Sequence, residues 1–396
     1  MNKMKKKWVL LFSASLLLLV GVVGFAFARK QAPRSHQAAE QTVIEAPRVT
    51  QQVNDKQVQA KSSQKPKPQV KPSDNKTDVA FPEQVRVPAL DTTLQQAHFA
   101  GTALVVRQGQ VMLSKAYGEA DRQTHRLNAV NTTYMIGSAQ KSIIATAILQ
   151  LEAAKKLQVD DPIAKYLPDF PNGHVITLRN LLNHTSGIVG YEKSTGSLTS
   201  AALIAAIEHA GIRSQPGTWH YLDSNYSVLA YVVTQLSHQS LPDYVQAHIF
   251  KPAGIQNSGF YPQFNATVSP SHQYKIVNNQ VTSPALPDFT QLFGAGDIYM
   301  TATDVYRFDQ ALMTGKLIPT AERQLMLTPG SSSTYGMGFY VNPGSYSSHG
   351  VLGGWNVINS FSHSGQTTIV LLANDNGVTS LGQTADALYA QLDQNG

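Results

Sequence analysis

No cysteine occurs in the 396 residues of this chain. That absence excludes disulfides, thiolate-ligated metals, a cysteine nucleophile and a lipid-modified cysteine anchor. An exported domain with this composition must hold together by its core, which about 300 residues can supply. None of the twelve histidines stands in an H-E-x-x-H or comparable ligand spacing, so no metal and no cofactor is expected. The folded part also lacks a basic excess. The formal charge of +6 is uneven: residues 1–86 hold 15 Lys/Arg against 6 Asp/Glu, and residues 87–396 hold 16 against 19. A net −3 on the larger portion argues against nucleic acid as a partner.

What is present begins with a membrane signal. Lys3, Lys5, Lys6 and Lys7 precede residues 8–28, where Ser13 and Ser15 are the polar side chains. A run of that length crosses a hydrocarbon core of ~30 Å, and the lysines keep its N-terminus in the cytoplasm. Ala26-Phe27-Ala28 resembles a signal-peptidase site, which would give a secreted form. The run exceeds an ordinary signal core, so the favoured expectation is an uncleaved single-pass anchor with the C-terminal portion outside the cell. An apolar export signal on a cysteine-free chain suits a Gram-positive surface protein. Residues 29–86, rich in Lys, Pro and Gln, read as a disordered tether spanning roughly 40 Å as a coil.

The folded domain is expected over residues 87–396. A short helix over 90–97 leads into a hairpin of residues 102–107 and 111–117, turning at Gln108-Gly109-Gln110. Helices are expected over 142–151, 176–182 (capped by Thr177), 198–209, 226–236 and 302–313 (capped by Thr303). Residues 256–290 read as irregular and polar. Strands are expected at 335–340, 355–361 and 367–373, then a last helix over 382–392. Strands at both ends with helices between predict one sheet built from both termini, in an α/β (α+β) class.

The chemistry centres on Ile136-Gly137-Ser138-Ala139-Gln140-Lys141. The apolar spacing of Ile143, Ile144, Ala147, Ile148 and Leu151 predicts a half-buried helix. Ser138 and Lys141 stand one turn apart on it. A serine hydroxyl needs a base to become a nucleophile, and a desolvated lysine with a depressed pKa is one such group. The helix start also favours developing negative charge. Alone, S-x-x-K is a common chance pattern.

Further patterns accompany it: Leu157-Gln158-Val159-Asp160-Asp161-Pro162, Lys165-Tyr166-Leu167-Pro168, His184-Thr185-Ser186-Gly187, Pro216-Gly217, Tyr221-Leu222-Asp223, Asn225-Tyr226, Gly294-Ala295-Gly296-Asp297, Thr303-Asp304 and Tyr335-Gly336-Met337-Gly338. Together they resemble the serine β-lactamase and penicillin-binding-protein superfamily, in its class C-like branch, across residues 88–396. That branch includes DD-peptidases, esterases and D-alanyl esterases of lipoteichoic acid. The resemblance implies an antiparallel sheet flanked by helices, with a helical subdomain. It implies an acyl-enzyme on Ser138, proton removal helped by Lys141, and Tyr221 as proton shuttle with its pKa lowered by the Lys141 ammonium.

Two departures bear on the substrate. The second motif, usually Y-x-N, carries Asp223 at its third position. The third motif reads Ser348-His349-Gly350, or His349-Gly350-Val351 after a one-residue slip. His349 is the expected functional side chain in either register, and the N–H groups of Ser138 and Val351 would form the oxyanion hole. His363-Ser364-Gly365 is set aside as a hairpin turn, and His184 as a structural hydrogen-bonder. Without a third-motif lysine, and with Asp223 added, a carboxylate-bearing substrate meets a less favourable field. A D-alanyl ester instead offers a free ammonium. The expected function is removal of D-alanine from membrane-attached teichoic acid. The alternatives are a DD-carboxypeptidase or β-lactam-reactive enzyme, and a non-catalytic sensor of wall fragments. Either way the partner is a D-alanine-bearing envelope polymer. Oligomeric state is not legible.

Overall fold

In the computed structural model, residues 80–193, 196–278, 280–377 and 380–395 are described. The anchor expected over 1–28 and the tether through residue 79 lie outside them. Among the described residues no helix is long and apolar enough to cross a membrane. Strand pairing begins at Gln84, three residues ahead of the expected domain start.

Seven strands make the main sheet: β1 (Gln84–Val85), β2 (Gly101–Arg107), β3 (Gln110–Tyr117), β4 (Tyr340–Val341), β5 (Ser345–Leu352), β6 (Trp355–Ser362) and β7 (Thr367–Ala373). Their spatial order is β1-β3-β2-β7-β6-β5-β4, antiparallel throughout. The two ends of the domain meet where Gly101–Arg107 pairs with Thr367–Ala373. Gln108 and Gly109 both take positive φ, 51° and 75°, the pair of left-handed residues that a two-residue hairpin needs to match strand twist.

The sheet is buried on both faces, and the two-residue period of the strands sorts side chains between two cores. Ala103, Val105, Ile369 and Leu371 face α1 (Pro88–Gln96) and the C-terminal helix Leu381–Asn395. Leu104, Val106, Val370 and Leu372 face the larger core, shared with the helices of the middle of the chain. Those are α2 (Lys141–Ala153), α3 (Leu178–Leu182), α4 (Ser200–Ala210), α5 (Asp223–Ser237) and α6 (Ala302–Met313). Each fully buried Leu or Ile there stabilises by roughly 1.5–3 kcal/mol over its exposed state.

Several expectations need correction. The helix carrying Lys141 is buried all round, not on one face: Lys141 through Leu149 are all covered, because α2 runs through the middle of the helical subdomain. The cap of α6 is Thr301, whose Oγ1 accepts from the Asp304 N–H at 3.2 Å. Thr303 Oγ1 instead accepts from the Phe81 N–H. Residues 335–340 form a strand only at their end. Gly338 (φ 88°) lies against Ser142, where a Cβ would stand 2.6 Å from its Cα, and the segment turns there. Residues 256–290 hold three short strands, Gly259–Phe260, Tyr274–Val277 and Gln280–Thr282.

Candidate active site

The first motif is aimed by a small second sheet. Tyr134–Met135 pairs with Ile298–Met300, and the Ile136 N–H donates to the Ile298 carbonyl at 3.0 Å. Gly137 then turns the chain at φ +51°, a conformation open chiefly to glycine. Residues Gly137–Gln140 form a 3₁₀ turn ahead of α2. In a 3₁₀ turn side chains at i and i+3 eclipse, which brings Lys141 Nζ to 2.9 Å from Ser138 Oγ.

Lys141 is 0% exposed, and a buried ammonium must find acceptors for its three N–H bonds. It has three: Ser138 Oγ, Asp223 Oδ1 at 2.8 Å and the Ala295 carbonyl at 3.3 Å. Burial alone would pull its pKa down. The Asp223 carboxylate and the Tyr221 phenol outweigh that and hold it above its ordinary value. This reverses the depressed lysine pKa expected of a direct base.

The second motif opens α5. Asp223 is its first residue, where the helix dipole favours a carboxylate. Burial pushes the Asp223 carboxyl up, but Lys141 and then Lys193 outweigh it and hold it below the usual carboxylate range. The Asp223 side chain keeps 38% exposure, and its Oδ2 lies 3.6 Å from Lys193 Nζ.

His184 clamps this motif to its neighbour loop. Its Nδ1 accepts from the Leu222 N–H at 3.2 Å and from Asn225 Nδ2 at 3.0 Å, which leaves the ring proton on Nε2. The His220 N–H donates to the His184 carbonyl at 2.7 Å, and Ser186 Oγ donates to Asn225 Oδ1 at 2.6 Å. Burial, then the Lys141 charge, press the His184 pKa far below its ordinary value, so the ring is neutral. It lies 4.3 Å, centroid to centroid, from Tyr221, and Tyr335 meets Tyr221 edge-on at 6.0 Å. Lys141 Nζ sits 4.9 Å from the Tyr221 ring centre. Serine, lysine, tyrosine and aspartate from two separate segments therefore converge.

The third motif contributes backbone. Strand β4 covers β5 only at Tyr346 and Ser347, leaving the edge from Ser348 onward facing the Ser138 turn. The Asn342 N–H donates to the Ser345 carbonyl, so odd-numbered residues of β5 direct their backbone groups off this edge. The pairing of β5 with β6 is regular through Leu352. The alternation therefore carries to Val351, whose N–H points toward the serine turn. Gly350 fixes the close approach: a Cβ there would stand 2.0 Å from the Ile136 carbonyl oxygen and 2.9 Å from Ser138 N. Gly137 likewise lies against Val351.

The third-motif side chains do not join the cluster. His349 is paired with Ile358 of the outer core, and its Nε2 meets Asn356 Oδ1 at 2.8 Å. No hydrogen bond joins it to Ser138, Lys141, Tyr221 or Asp223 among the described residues. Alternation turns His349 to the other sheet face from Ser348 and Gly350. Ser348 is buried and donates to Asn359 Oδ1, and Asn359 Nδ2 donates to both oxygens of buried Asp309. Burial lifts Asp309 to about 8.

Three participants escaped the sequence reading. The Ala295 carbonyl lies in a pattern already noted, but a backbone acceptor leaves no side-chain signal. Asn225 likewise sat in a noted pattern without a role. Lys193 stands in a loop with no motif around it.

Residues 87–394 match the family described as Beta-lactamase. Over 393 residues the chain is 43% identical to PbpX of Bacillus subtilis strain 168, a protein named for penicillin binding, covering 99% of this chain and 96% of that one. It is 32% identical over 261 residues to the teichoic acid D-alanine hydrolase of Staphylococcus aureus strain MRSA252, covering 64% of this chain and 65% of that protein. The crystal structure of FmtA from Staphylococcus aureus superposes with a TM-score of 0.73 at 27% identity, over 81% of this chain and 93% of that one. A D-amino acid amidase from Ochrobactrum anthropi, at 19% identity and a TM-score of 0.67, shares the fold. The chain belongs to the beta-lactamase family and is a serine hydrolase.

Proposed function

We propose that this enzyme removes D-alanyl esters from teichoic acid at the outer face of the cell membrane, through a D-alanyl-Ser138 intermediate. The observation that carries the reading is the Asp223 carboxylate. One of its oxygens serves Lys141, and the other, on a side chain that keeps 38% exposure, has only the long 3.6 Å contact to Lys193 among the described residues and could receive a substrate ammonium. A D-alanyl ester presents such an ammonium next to the scissile carbonyl, and a charge-assisted contact there contributes about 1.5–3 kcal/mol when buried. The relative named for teichoic acid D-alanine hydrolysis supports the same substrate.

In this mechanism Ser138 Oγ attacks the ester carbonyl while the N–H groups of Ser138 and Val351 receive the developing oxyanion. Lys141, held as an ammonium, donates to Ser138 Oγ and does not itself take the proton. That proton goes to Tyr221, which delivers it to the departing polyol oxygen. Water then attacks the acyl-enzyme, Tyr221 accepting its proton and returning one to Ser138, and D-alanine leaves. The apolar run at residues 8–28 and the tether behind it would hold the domain within reach of membrane-attached polymer. Mass spectrometry of D-alanine released from purified lipoteichoic acid tests the reading. Release by the wild type and none by Ser138→Ala is expected, and equal release by both contradicts it.

A DD-carboxypeptidase or β-lactam-reactive enzyme is the second reading. Lys193 favours it: with Lys141 it places two ammonium groups around one carboxylate, so the field is less hostile to a substrate carboxylate than the sequence implied. Labelling of Ser138 by a fluorescent penicillin tests it. A non-catalytic sensor has no use for a serine hydrogen-bonded to a buried ammonium, and Ser138-dependent reaction with a fluorophosphonate separates that case.

A further inference from the structure

Lys193 stands apart from the machinery above. Its side chain is 45% exposed, and its ion pair among the described residues is the long 3.6 Å contact to Asp223 Oδ2. It also lines an open groove of about 680 Å³ with Leu286, Pro287, Val351 and Gly353, and it is the single charged side chain among the described lining residues. Val351 is the residue whose N–H faces the serine turn, so the groove passes the oxyanion edge. The other described lining residues carry no charge.

We infer that Lys193 is a specificity residue that recognises an anionic group on the substrate, next to the scissile carbonyl. In the free enzyme its ammonium rests against Asp223. When the substrate's own ammonium occupies Asp223 Oδ2, as the D-alanyl ester reading requires, Lys193 exchanges partners and turns to an anion in the groove. The exchange conserves charge: the substrate adds one cation and one anion, so two cations and one carboxylate become three cations and two anions, and each ionised group keeps a partner of opposite sign. A long, half-exposed ion pair is the kind that separates at little cost. Two sources supply such an anion: the phosphodiester of a polyol-phosphate polymer, and the terminal carboxylate of a D-alanyl stem peptide or its depsipeptide.

The test uses the full chain and three esters: D-alanyl-glycerol, which has no anion; D-alanyl-glycerol as its phosphodiester; and an N-acyl-D-alanyl-D-lactate. For each enzyme the kcat/KM on each anionic ester is divided by that on the neutral one. Lys193→Gln is expected to lower this ratio about tenfold for one anionic ester, chiefly through KM, while Lys193→Arg retains most of it. The wild-type ratio falls as salt is raised, and the Lys193→Gln ratio is flat. Whichever ester shows the loss identifies the anion. Ratios unchanged by Lys193→Gln on both anionic esters overturn the inference, as does a salt response that survives the substitution. A wild type that cleaves only the depsipeptide ends the teichoic acid reading; Lys193→Gln is then expected to lower kcat/KM on that ester about tenfold relative to the wild type, and an unchanged value overturns the inference.

Discussion

The two walls of the cleft do different chemistry. The helical wall supplies side chains: Ser138 and Lys141 from the start of α2, and Tyr221 and Asp223 from the start of α5. The sheet wall supplies the Val351 N–H from an uncovered edge and Gly350, which has no side chain to obstruct the approach. Side-chain function depends on residue identity. Backbone function depends on shape, and tolerates varied side chains provided the edge stays open and the glycine stays. That explains how a third motif without its usual lysine can still border a well-formed serine turn.

The contrast is breakable by substitution. Ser138→Ala should lower D-alanine release by about 10⁴-fold or more with melting temperature little changed, measured by single-turnover assay and calorimetry. Tyr221→Phe, which keeps the ring against His184 and removes the phenol, should cost about 10²–10⁴-fold in kcat; retained activity would move the proton transfer elsewhere. On the sheet wall, Gly350→Ala sets a Cβ against the Ile136 carbonyl and Ser138 N. It should lower kcat by about 10²–10³-fold and destabilise by about 1–3 kcal/mol, although no reacting side chain is changed. His349→Ala should alter kcat/KM by less than about twofold, since its partner is Asn356. A loss as large as that of Gly350→Ala would restore His349 to the site.

The smallest expected effect is on stability against pH. Buried Asp309 is raised to about 8 and Asp297 to about 7, burial being the main cause in both. Each binds its proton more tightly when folded. Their contribution is therefore fully present below the unfolded carboxyl pKa near 4 and is lost as pH rises toward 8. Melting temperature should fall between pH 5 and pH 9, and Asp309→Asn should flatten part of that slope. An unchanged slope would mean that Asp309 is already ionised in its contact with Asn359.

How much was legible follows the same division. Strands β2, β6 and β7 announced themselves by apolar runs, and the Thr177 cap by a threonine at the start of an apolar helix; the Asn180 half of its capping box came from the structure. Ser138, Lys141, Tyr221 and Asp223 were legible because motif spacing fixes side-chain identity, and they do converge. The lysine's protonation was not legible, because it depends on Asp223, 82 residues away in the chain. The face taken by His349 was not legible either, since a one-residue slip in register reverses every side chain on a strand. Thr303 looked like a cap until the fold brought Phe81 to it. Each of these gaps is a contact between distant segments that no local pattern encodes.

The most direct test is peptide mass analysis of the wild-type enzyme, acid-quenched within the first turnover of D-alanylated lipoteichoic acid. One D-alanyl unit on the peptide containing Ser138 is the expected result. D-alanine released with no adduct on that peptide, or an adduct on a different residue, would contradict the account.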